Sequence, residues 1–540
     1  MASGILGVAL TGLNAAQVGI RTTEHNISNV NTAGYRRQET DFAATRAQYS
    51  SAGYIGTGTS VSAVRQMYSR FLDNEVLQNQ AQLSRYETYG AQASQIDKML
   101  GDSGSGLSTA LDNYFSAVNE VANDPTSNAA RQNLLSAGKN LAGRVNTLDT
   151  KLKSMRAASN SDIQAIAQQV NVLTGKIATL NNAIARDEGI NGRSANDLRD
   201  QRQQLVSDLN KLVNVSSIEQ SDGSVNIFIG SGQPLVVGTL SYTMSTATDP
   251  NDSTLKVPTL TLGASTINLD SSLISGGQLG GVLAQREQIL LPALDDLNRI
   301  SMAVATSVNN VHRAGLDYNL NAGGNFFTNP VVPQGTTLGE LNMTFSNDLL
   351  LDRVGYQIDA TATGYDVTVL STGTTTSYAT LAALNAAGLG FTLAAGSPAP
   401  SSGDSWIIGD YAGQMRMELS NTSEVAAAAS TAAGPGDNGN MLDMADLRAT
   451  KVLNNGTRSF SEAYDQTISR TASLAAESDL SQSAFTALVE QATASQQEVS
   501  GVNLDEEAVN LIRYQQAYQA AARAMQIASS LFDEVLGIVR

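Results

Sequence analysis

The sequence predicts a multidomain, mainly α-helical protein with β subdomains, whose N- and C-terminal segments pair as coiled-coil helices. Three observations lead to this fold class. The chain has 540 residues, and at roughly 100–200 residues per domain this length corresponds to about three or four domains. Apolar residues recur every three or four positions at both ends, as in coiled coils. The interior changes to short alternating runs separated by Gly and Pro, which is typical of strands.

The N-terminal segment carries an apolar stripe with the spacing of a coiled-coil seam. Its members follow one another in steps of three, four or seven residues, and we predict that they form an assembly interface. They are Leu6, Leu10, Leu13, Ile20 and Ile27. The alternative is an ordinary core helix that buries this stripe within the subunit.

The C-terminal segment has the same spacing and predicts one helix over 504–539, about 54 Å long at 1.5 Å per residue. Its seam is the second predicted assembly interface and consists of Leu504, Leu511, Tyr518, Met525, Phe532 and Leu536. A neighbouring stripe of small side chains, which allows another helix to approach closely, contains Ala517, Ala521, Ala524 and Ala528. The two stripes favour packing against more than one neighbour.

The segments between the ends predict a nested arrangement of domains. Helical patterns interrupted at Asp124–Pro125, together with strand-like runs at about 215–270, indicate a mixed, mainly helical middle domain. Residues 331–440 hold ten Asp and Glu against two Arg, which indicates a solvent-facing, β-rich insertion that forms an outer domain. The predicted divisions are 1–60 with 495–540 for the paired ends, 61–335 with 436–494 for the middle domain, and 336–435 for the insertion.

Charge and cysteine content exclude several classes of protein. The formal net charge is −17, and the densest basic spot is only the pair Arg36–Arg37, which argues against nucleic-acid binding. Cysteine is absent, so disulfides, thiolate nucleophiles and cysteine-based metal sites are excluded. We find neither the apolar core of a cleavable signal peptide nor the roughly 18–20 apolar residues that cross a bilayer. We therefore expect neither nucleic-acid binding nor membrane insertion.

Motifs for catalysis are also missing from the sequence. The two histidines, His25 and His312, have no partner motif for a zinc site or a catalytic triad. The run Asp317-x-Asn319-x-Asn321 begins like a calcium loop, but the Gly and Glu that such a loop needs at later positions are absent. We therefore expect no enzyme activity, no metal and no cofactor.

A polar motif follows the N-terminal apolar stripe. It has the pattern N-x-x-N-x-x-T-x-G-[FY] and consists of Asn26, Asn29, Thr32, Gly34 and Tyr35. Asn and Gly at these positions favour a helix exit followed by a turn. The stretch resembles the N-terminal signature of flagellar rod, hook and hook-associated proteins.

Interior segments resemble one family within that group, flagellar hook-associated protein 1 (FlgK). The similar stretches are Ala129–Leu135, Asn196–Arg202, Gly230–Val236, Gly277–Leu283, Gly501–Ala508 and Leu511–Ala520. The insertion at 336–435 is not matched motif by motif.

The resemblance implies a structural role in the bacterial flagellum. In this role, a layer of subunits joins the hook to the filament, and filament growth depends on it. It implies self-association within that layer, with the hook protein below and a second junction protein (FlgL) above. It further implies secretion by the flagellar type III export apparatus, an extracellular location, and an export chaperone (FlgN-like) bound to the C-terminal seam.

Three alternatives stay open at this point. Another flagellar axial subunit, such as the hook protein or a distal rod protein, would share the N-terminal motif. An exported adhesin-like surface protein would use the acidic insertion as its binding surface. A cell-wall hydrolase would need a catalytic constellation that no motif supplies.

Overall fold

The computed structural model describes residues 2–50, 53–102, 106–190, 194–432 and 434–539. Its helices range from a single turn to very long segments. In chain order they are α1 (Ala2–Ser28), α2 (Arg70–Leu100), α3 (Leu107–Asn123), α4 (Asn128–Ala185), α5 (Asn196–Leu212), α6 (Gly277–Gln285), α7 (Leu291–Ala314), α8 (Leu381–Asn385), α9 (Gly439–Asp446), α10 (Phe460–Ser500) and α11 (Leu504–Val539). One π-helical turn at Arg186–Ile190 continues α4, and another at Arg286–Leu290 joins α6 to α7.

The strands form small antiparallel sheets. In chain order they are β1 (Gln38–Ala44), β2 (Gln48–Ser50), β3 (Gly53–Ile55), β4 (Thr59–Gln66), β5 (Val215–Glu219), β6 (Val225–Ile229), β7 (Gln233–Val237), β8 (Leu240–Ser241), β9 (Thr243–Thr248), β10 (Lys256–Leu262), β11 (Ser265–Asn268), β12 (Val332–Pro333), β13 (Leu341–Phe345), β14 (Tyr356–Thr361), β15 (Gly364–Val369), β16 (Thr374–Tyr378), β17 (Phe391–Ala395) and β18 (Ser405–Ile408). The sheet orders are β1-β4, β2-β3, β5-β6-β7-β8, β11-β10-β9, β13-β17 and β12-β18-β14-β15-β16.

The predicted fold class is confirmed, and so are several elements that define it. The helical pattern does break around Asp124–Pro125, which lies between α3 and α4. The helix predicted over 504–539 is α11. The strand-like runs at 215–270 form β5 to β11, in two separate sheets. These elements could be predicted because the helix and the strands have periods that repeat within one segment, and the break is marked by an Asp-Pro pair.

The helix α4 connects two hydrophobic cores. Its 58 residues span about 87 Å at 1.5 Å per residue. Leu134 and Leu148 in its first half lie in a core with α2, α3, α7, α9, α10 and the strands between 341 and 408. Ile163 and Val170 in its second half lie in a core with α5, α6 and the strands between 215 and 260. None of the described side chains of α1 or α11 belongs to either core.

The helices α2 and α10 run antiparallel and carry the segments that lead to the terminal helices. Tyr86 stacks on Phe485 with the ring centroids 5.6 Å apart. Nearer the start of α2, the Gln496 side chain donates a hydrogen bond of 2.6 Å to Asp73. The predicted domain boundary at 494/495 falls inside α10, which continues to Ser500.

The predicted insertion contains four strands of the five-stranded sheet, whose edge strand β12 precedes it, and Trp406 on β18 is fully buried. The indole of Trp406 donates a hydrogen bond of 3.0 Å to the carbonyl of Gly339. After β18 the chain packs against the helices. The amide of Tyr411 donates a hydrogen bond of 2.8 Å to the Asn298 side chain of α7, and Arg131 of α4 donates one of 2.8 Å to the carbonyl of Val425. The last part of 336–435 is therefore packed on the helical core, and the division into domains stays a prediction.

The described residues include neither a membrane-spanning helix nor a cluster of metal ligands. None of the described helices is long and apolar enough to cross a membrane. The described His, Asp and Glu side chains form no group of three or more that could hold a metal ion. In the calcium-like run, the Asp317 carboxylate accepts the backbone N–H groups of Asn319 and Asn321 at 2.7 and 2.8 Å, so it closes its own turn.

His312 is fully buried and is held in one neutral tautomer. The amide of Ala426 donates to its Nε2 at 2.9 Å, so Nδ1 carries the hydrogen and donates to the carbonyl of Gly324 at 2.7 Å. Burial lowers the pKa of His312 to about 4 from its ordinary value of 6.5. A proton on Nε2 would break the bond from Ala426 and charge a buried ring.

We expect the neutral His312 to contribute fully to the free energy of unfolding above pH 6.5. This contribution is lost as the pH falls from 6.5 towards 4, because in that range the histidine of the unfolded chain is protonated and that of the folded chain is not. The measurement is the melting temperature of the parent minus that of His312→Gln between pH 7.5 and 4.5. The difference should move in favour of the variant at low pH. A constant difference would contradict the neutral buried state.

Candidate assembly interface

The terminal helices α1 and α11 pair in antiparallel order through small side chains. Ala9 and Ala16 of α1 are buried in this contact face. A Cβ added to Gly12 would lie 3.7 Å from the Cβ of Ala521, and one added to Gly19 would lie 2.9 Å from ring atoms of Tyr514. The close approach depends on these small residues, because larger ones would force the helices apart.

The predicted N-terminal seam lies beside this contact face. Leu6 is 43% and Leu10 is 49% exposed, whereas Leu13, Ile20 and Ile27 are half-buried. The face at the centre of the helix pair is instead the stripe Ala9, Gly12, Ala16, Gly19, Thr23 and Asn26. This second heptad repeat was missed, because small and polar residues give little hydrophobic signal.

The predicted C-terminal seam has a similar position on α11. Leu504, Tyr518 and Phe532 are exposed, and Leu511 and Met525 are half-buried. The side chain of Leu536 lies outside the described residues. Of the predicted small-residue stripe, Ala528 is buried and Ala521 faces Gly12, whereas Ala517 is exposed.

Further apolar side chains extend the exposed surface of the two helices. The sequence analysis did not include Ile5, Val8, Val509, Ile512 and Ile527, each of which is at least 41% exposed. They lie next to the predicted seam positions on the helix surface, so a prediction of a wider apolar face would have included them. Apolar patches of this kind mark interaction surfaces, because water disfavours their exposure.

The motif at the end of α1 is held together by Asn26, which is almost completely buried. Its Oδ1 accepts hydrogen bonds from the hydroxyl of Tyr35 at 2.7 Å and the amide of Gln38 at 3.0 Å. Its Nδ2 donates to the carbonyl of Gln38 at 2.9 Å and to Glu507 of α11 at 3.1 Å. One side chain therefore joins the exit of α1, the start of β1 and the first turn of α11.

Tyr35 and Glu507 complete this arrangement. Burial raises the pKa of Tyr35, so its hydroxyl stays protonated and can donate to Asn26. The Tyr35 oxygen also lies 3.0 Å from Nδ1 of His25. Burial raises the pKa of Glu507, with the neighbouring charge of Glu506 adding to the effect.

The other motif residues shape the turn itself. The carbonyl of His25 accepts from both the amide of Asn29 at 3.2 Å and its side chain at 2.9 Å, which ends the helix. The hydroxyl of Thr32 donates to the Asn29 side chain at 3.2 Å. Gly34 has φ +77°, and a Cβ there would lie 2.8 Å from Gln204. The structure thus brings all five motif residues into one turn.

The two arginines after the motif attach this turn to the helices around it. Arg36 forms a buried ion pair of 2.7 Å with Asp73 of α2, and its amide donates to Asp200 of α5 at 3.3 Å. Arg37 forms an ion pair of 2.7 Å with Glu506 of α11. Burial raises the pKa of Asp200 to about 7, although the hydrogen bond from the Arg36 amide and the charge of Arg36 both act to lower it.

The stretch Asn196–Arg202, for which the resemblance supplied no role, lies directly against the motif. Asn196 donates to the carbonyl of Val64 in β4 at 2.9 Å, and Asp197 accepts from the Gln38 side chain at 2.9 Å. The start of α5 therefore clamps both strands of the β1-β4 hairpin. Sequence analysis could not pair the two motifs, because they lie about 160 residues apart in the chain.

Asn26→Ala should loosen the junction between α1, β1 and α11. The change removes the hydrogen bonds that the amide of Gln38 and the hydroxyl of Tyr35 donate to Asn26, at about 0.5–1.5 kcal/mol for each bond. Hydrogen exchange should become faster at 36–44 and 504–510. Asn14→Ala, at an exposed position of the same helix, is the matched control. Equal exchange in both variants would contradict the role assigned to Asn26.

Comparisons with known proteins agree with this architecture. Residues 93–327 match the profile of the "Flagellar hook-associated protein FlgK helical domain". Residues 494–538 match the "Flagellar basal body rod FlgEFG protein C-terminal" profile. A solved structure entitled "The structure of the flagellar hook junction protein FlgK from Burkholderia pseudomallei" has a similar fold, with a TM-score of 0.63 and 24% identity. It covers 79% of this chain and 100% of that chain.

Relatives of full length carry one common name, flagellar hook-associated protein 1. The protein of Escherichia coli K12 is 33% identical over 552 residues, covering 99% of this chain and 100% of the relative. The protein of Bacillus subtilis 168 is 24% identical over 565 residues, covering 98% and 97% of the two chains. With this identity over the whole length, the chain belongs to the flagellar hook-associated protein 1 (FlgK) family.

Proposed function

We propose that this protein is a structural subunit of the bacterial flagellum, in the layer that joins the hook to the filament and on which filament growth depends. The observation that carries the proposal is the exposed apolar surface of α1 and α11, whose described side chains belong to neither core. Leu10 and Phe532, each 49% exposed, lie on that surface. A subunit that is buried in an assembled layer needs such a surface, and its burial would drive association. The names of the related proteins point to the same role.

The partners in this proposal follow the order of the axis. Copies of the chain associate side by side within one layer, with the hook protein below and the second junction protein FlgL above. A FlgN-like export chaperone covers the C-terminal seam before secretion through the type III export apparatus. The protein then acts outside the cell, at the hook–filament junction. No catalytic step belongs to this function.

The outer position of 336–435 is part of the same proposal. The segment 331–440 carries ten of the chain's acidic residues and only two basic ones, which suits a solvated surface. Leu338, 81% exposed, lies far from the terminal helices along the chain. The paired ends would then form the inner wall of the axis, the helical domain the layer around it, and the insertion the outside.

Deletion of the gene, followed by electron microscopy, tests the function. We expect hooks without filaments and flagellin released into the medium, with filaments restored when the intact chain is supplied. Absence of hooks would indicate a hook or rod subunit instead. Normal filaments, together with lost attachment to host surfaces, would indicate an adhesin and would contradict the proposal.

A further inference from the structure

A pocket of about 300 Å³ lies beside the turn that follows α1. Four parts of the chain form it: the turn before β1, the end of β4 with the start of α2, the middle of α5, and the hairpin that begins with β5. Charged side chains and one tyrosine dominate its lining: Arg36, Tyr68, Arg70, Asp73, Arg199, Arg202 and Glu219. The assembly surface of α1 and α11 contributes no side chain to this lining.

The pocket has an excess of positive charge in a chain whose net charge is −17. The two lining carboxylates are already in use. Asp73 pairs with Arg36 at 2.7 Å, and Glu219 pairs with Arg199 at 2.8 Å and also with Arg70. The fourth lining arginine, Arg202, therefore has no lining carboxylate of its own.

Arg202 is 5% exposed and lies at the wall of the pocket. Its Nη1 donates to two neutral acceptors, the Asn181 side chain at 3.0 Å and the carbonyl of Gly223 at 2.6 Å. Among the described residues it forms no ion pair within 4.0 Å. Burial and, after it, the nearby charge of Arg199 lower the pKa of Arg202 to about 10.

The acidic groups nearest to Arg202 are held by other partners. Glu188 pairs with Arg199 at 2.6 Å. Asp222 accepts the amide and the hydroxyl of Ser224 at 2.9 and 2.7 Å. A buried guanidinium without a paired anion is unfavourable, and arginine does not relieve this by losing its proton at neutral pH.

We infer that this pocket binds one compact oxyanion of the carboxylate or phosphate class, with Arg202 as the buried cation and Arg70 at the mouth. The planar guanidinium matches the two oxygens of such an anion. The Arg70 side chain is 69% exposed, so it can turn towards an incoming group without a change in the fold. This inference goes beyond the junction role and does not rest on it.

The test is titration of the full-length protein with sodium phosphate and, separately, with sodium acetate, each against sodium chloride at equal ionic strength. Calorimetry and the melting temperature are the two readouts. We expect a saturable rise in melting temperature with one or both oxyanions. Arg202→Gln should raise the apparent dissociation constant about tenfold or more, as expected for a charged hydrogen bond.

Arg416→Gln is the matched control, because it removes one exposed arginine far from the pocket and should bind as the parent does. Arg70→Gln provides a second variant if Arg202→Gln does not fold, and it should weaken binding severalfold. Stronger binding of phosphate would assign the pocket to an anion of the phosphate class, and stronger binding of acetate would assign it to a carboxylate. No saturable binding, or equal binding by the parent and the pocket variants, would overturn the inference.

Discussion

Leu10→Asp is expected to prevent incorporation of the subunit into the flagellar axis while leaving the isolated subunit folded. Leu10 is 49% exposed in the isolated chain, so an aspartate there stays solvated and should change the free energy of unfolding by less than about 1 kcal/mol. In the proposed layer the same position is buried against a neighbour. An unpaired buried charge costs about 3–5 kcal/mol, which lowers incorporation by roughly a hundredfold or more.

The measurement is the fraction of hooks that carry filaments in cells that produce the variant, together with its secretion level. Leu338→Asp makes the same change at an exposed leucine of the predicted insertion, and we expect normal filaments from it. Filaments of normal number with Leu10→Asp would exclude the N-terminal seam from the interface. Equal losses with both variants would indicate an export defect rather than a lost contact.

Gly19→Val is expected to separate α1 from α11. A Cβ at this position lies 2.9 Å from Cδ1 and Cγ of Tyr514, so valine cannot be accommodated without movement of the whole ring or of the helix. Overpacking of this kind typically costs about 1–3 kcal/mol. Because α1 and α11 lie outside both hydrophobic cores, their pairing has little other apolar contact to compensate.

The chain has no cysteine, so two cysteines introduced for spin labelling would be the only sites that react with the label. Labels at the exposed Glu24 and Arg513 would report the distance between the two helices. We expect a longer and broader distance distribution for Gly19→Val than for the parent. Gly7→Val adds the same side chain where nothing lies within 4 Å, and it should keep the parent distribution. An unchanged distribution for Gly19→Val would show that the contact tolerates the side chain.

These two predictions concern different faces of one helix, and only the structure separates them. Apolar periodicity identified Leu6 and Leu10, because large side chains at regular spacing give a strong signal. The face that contacts α11 consists of Ala9, Gly12 and Ala16, among others, and its signal is small size at regular spacing. Small residues are common on any helix, so this face becomes visible only when the partner helix is in place.

The polar motif shows the same division. Its residue types indicated a helix exit and a turn, and both are present at Asn29 to Gly34. That Asn26 would reach Glu507 could not be predicted, because the two residues are separated by 481 positions. The same holds for Arg36 with Asp73, and for the α5 stretch that clamps the hairpin.

By itself, the sequence determined the helical ends, the break before α4, the strands of 215–270 and the family signature. Each of these depends on local preference or on a period that repeats within one segment. Only the tertiary structure decided which faces of α1 and α11 meet, how the motif is tied to α5 and α11, and that Arg202 is buried without a carboxylate partner. Those features depend on contacts between distant segments, where several pairings of similar residues are compatible with the same sequence pattern and packing selects one.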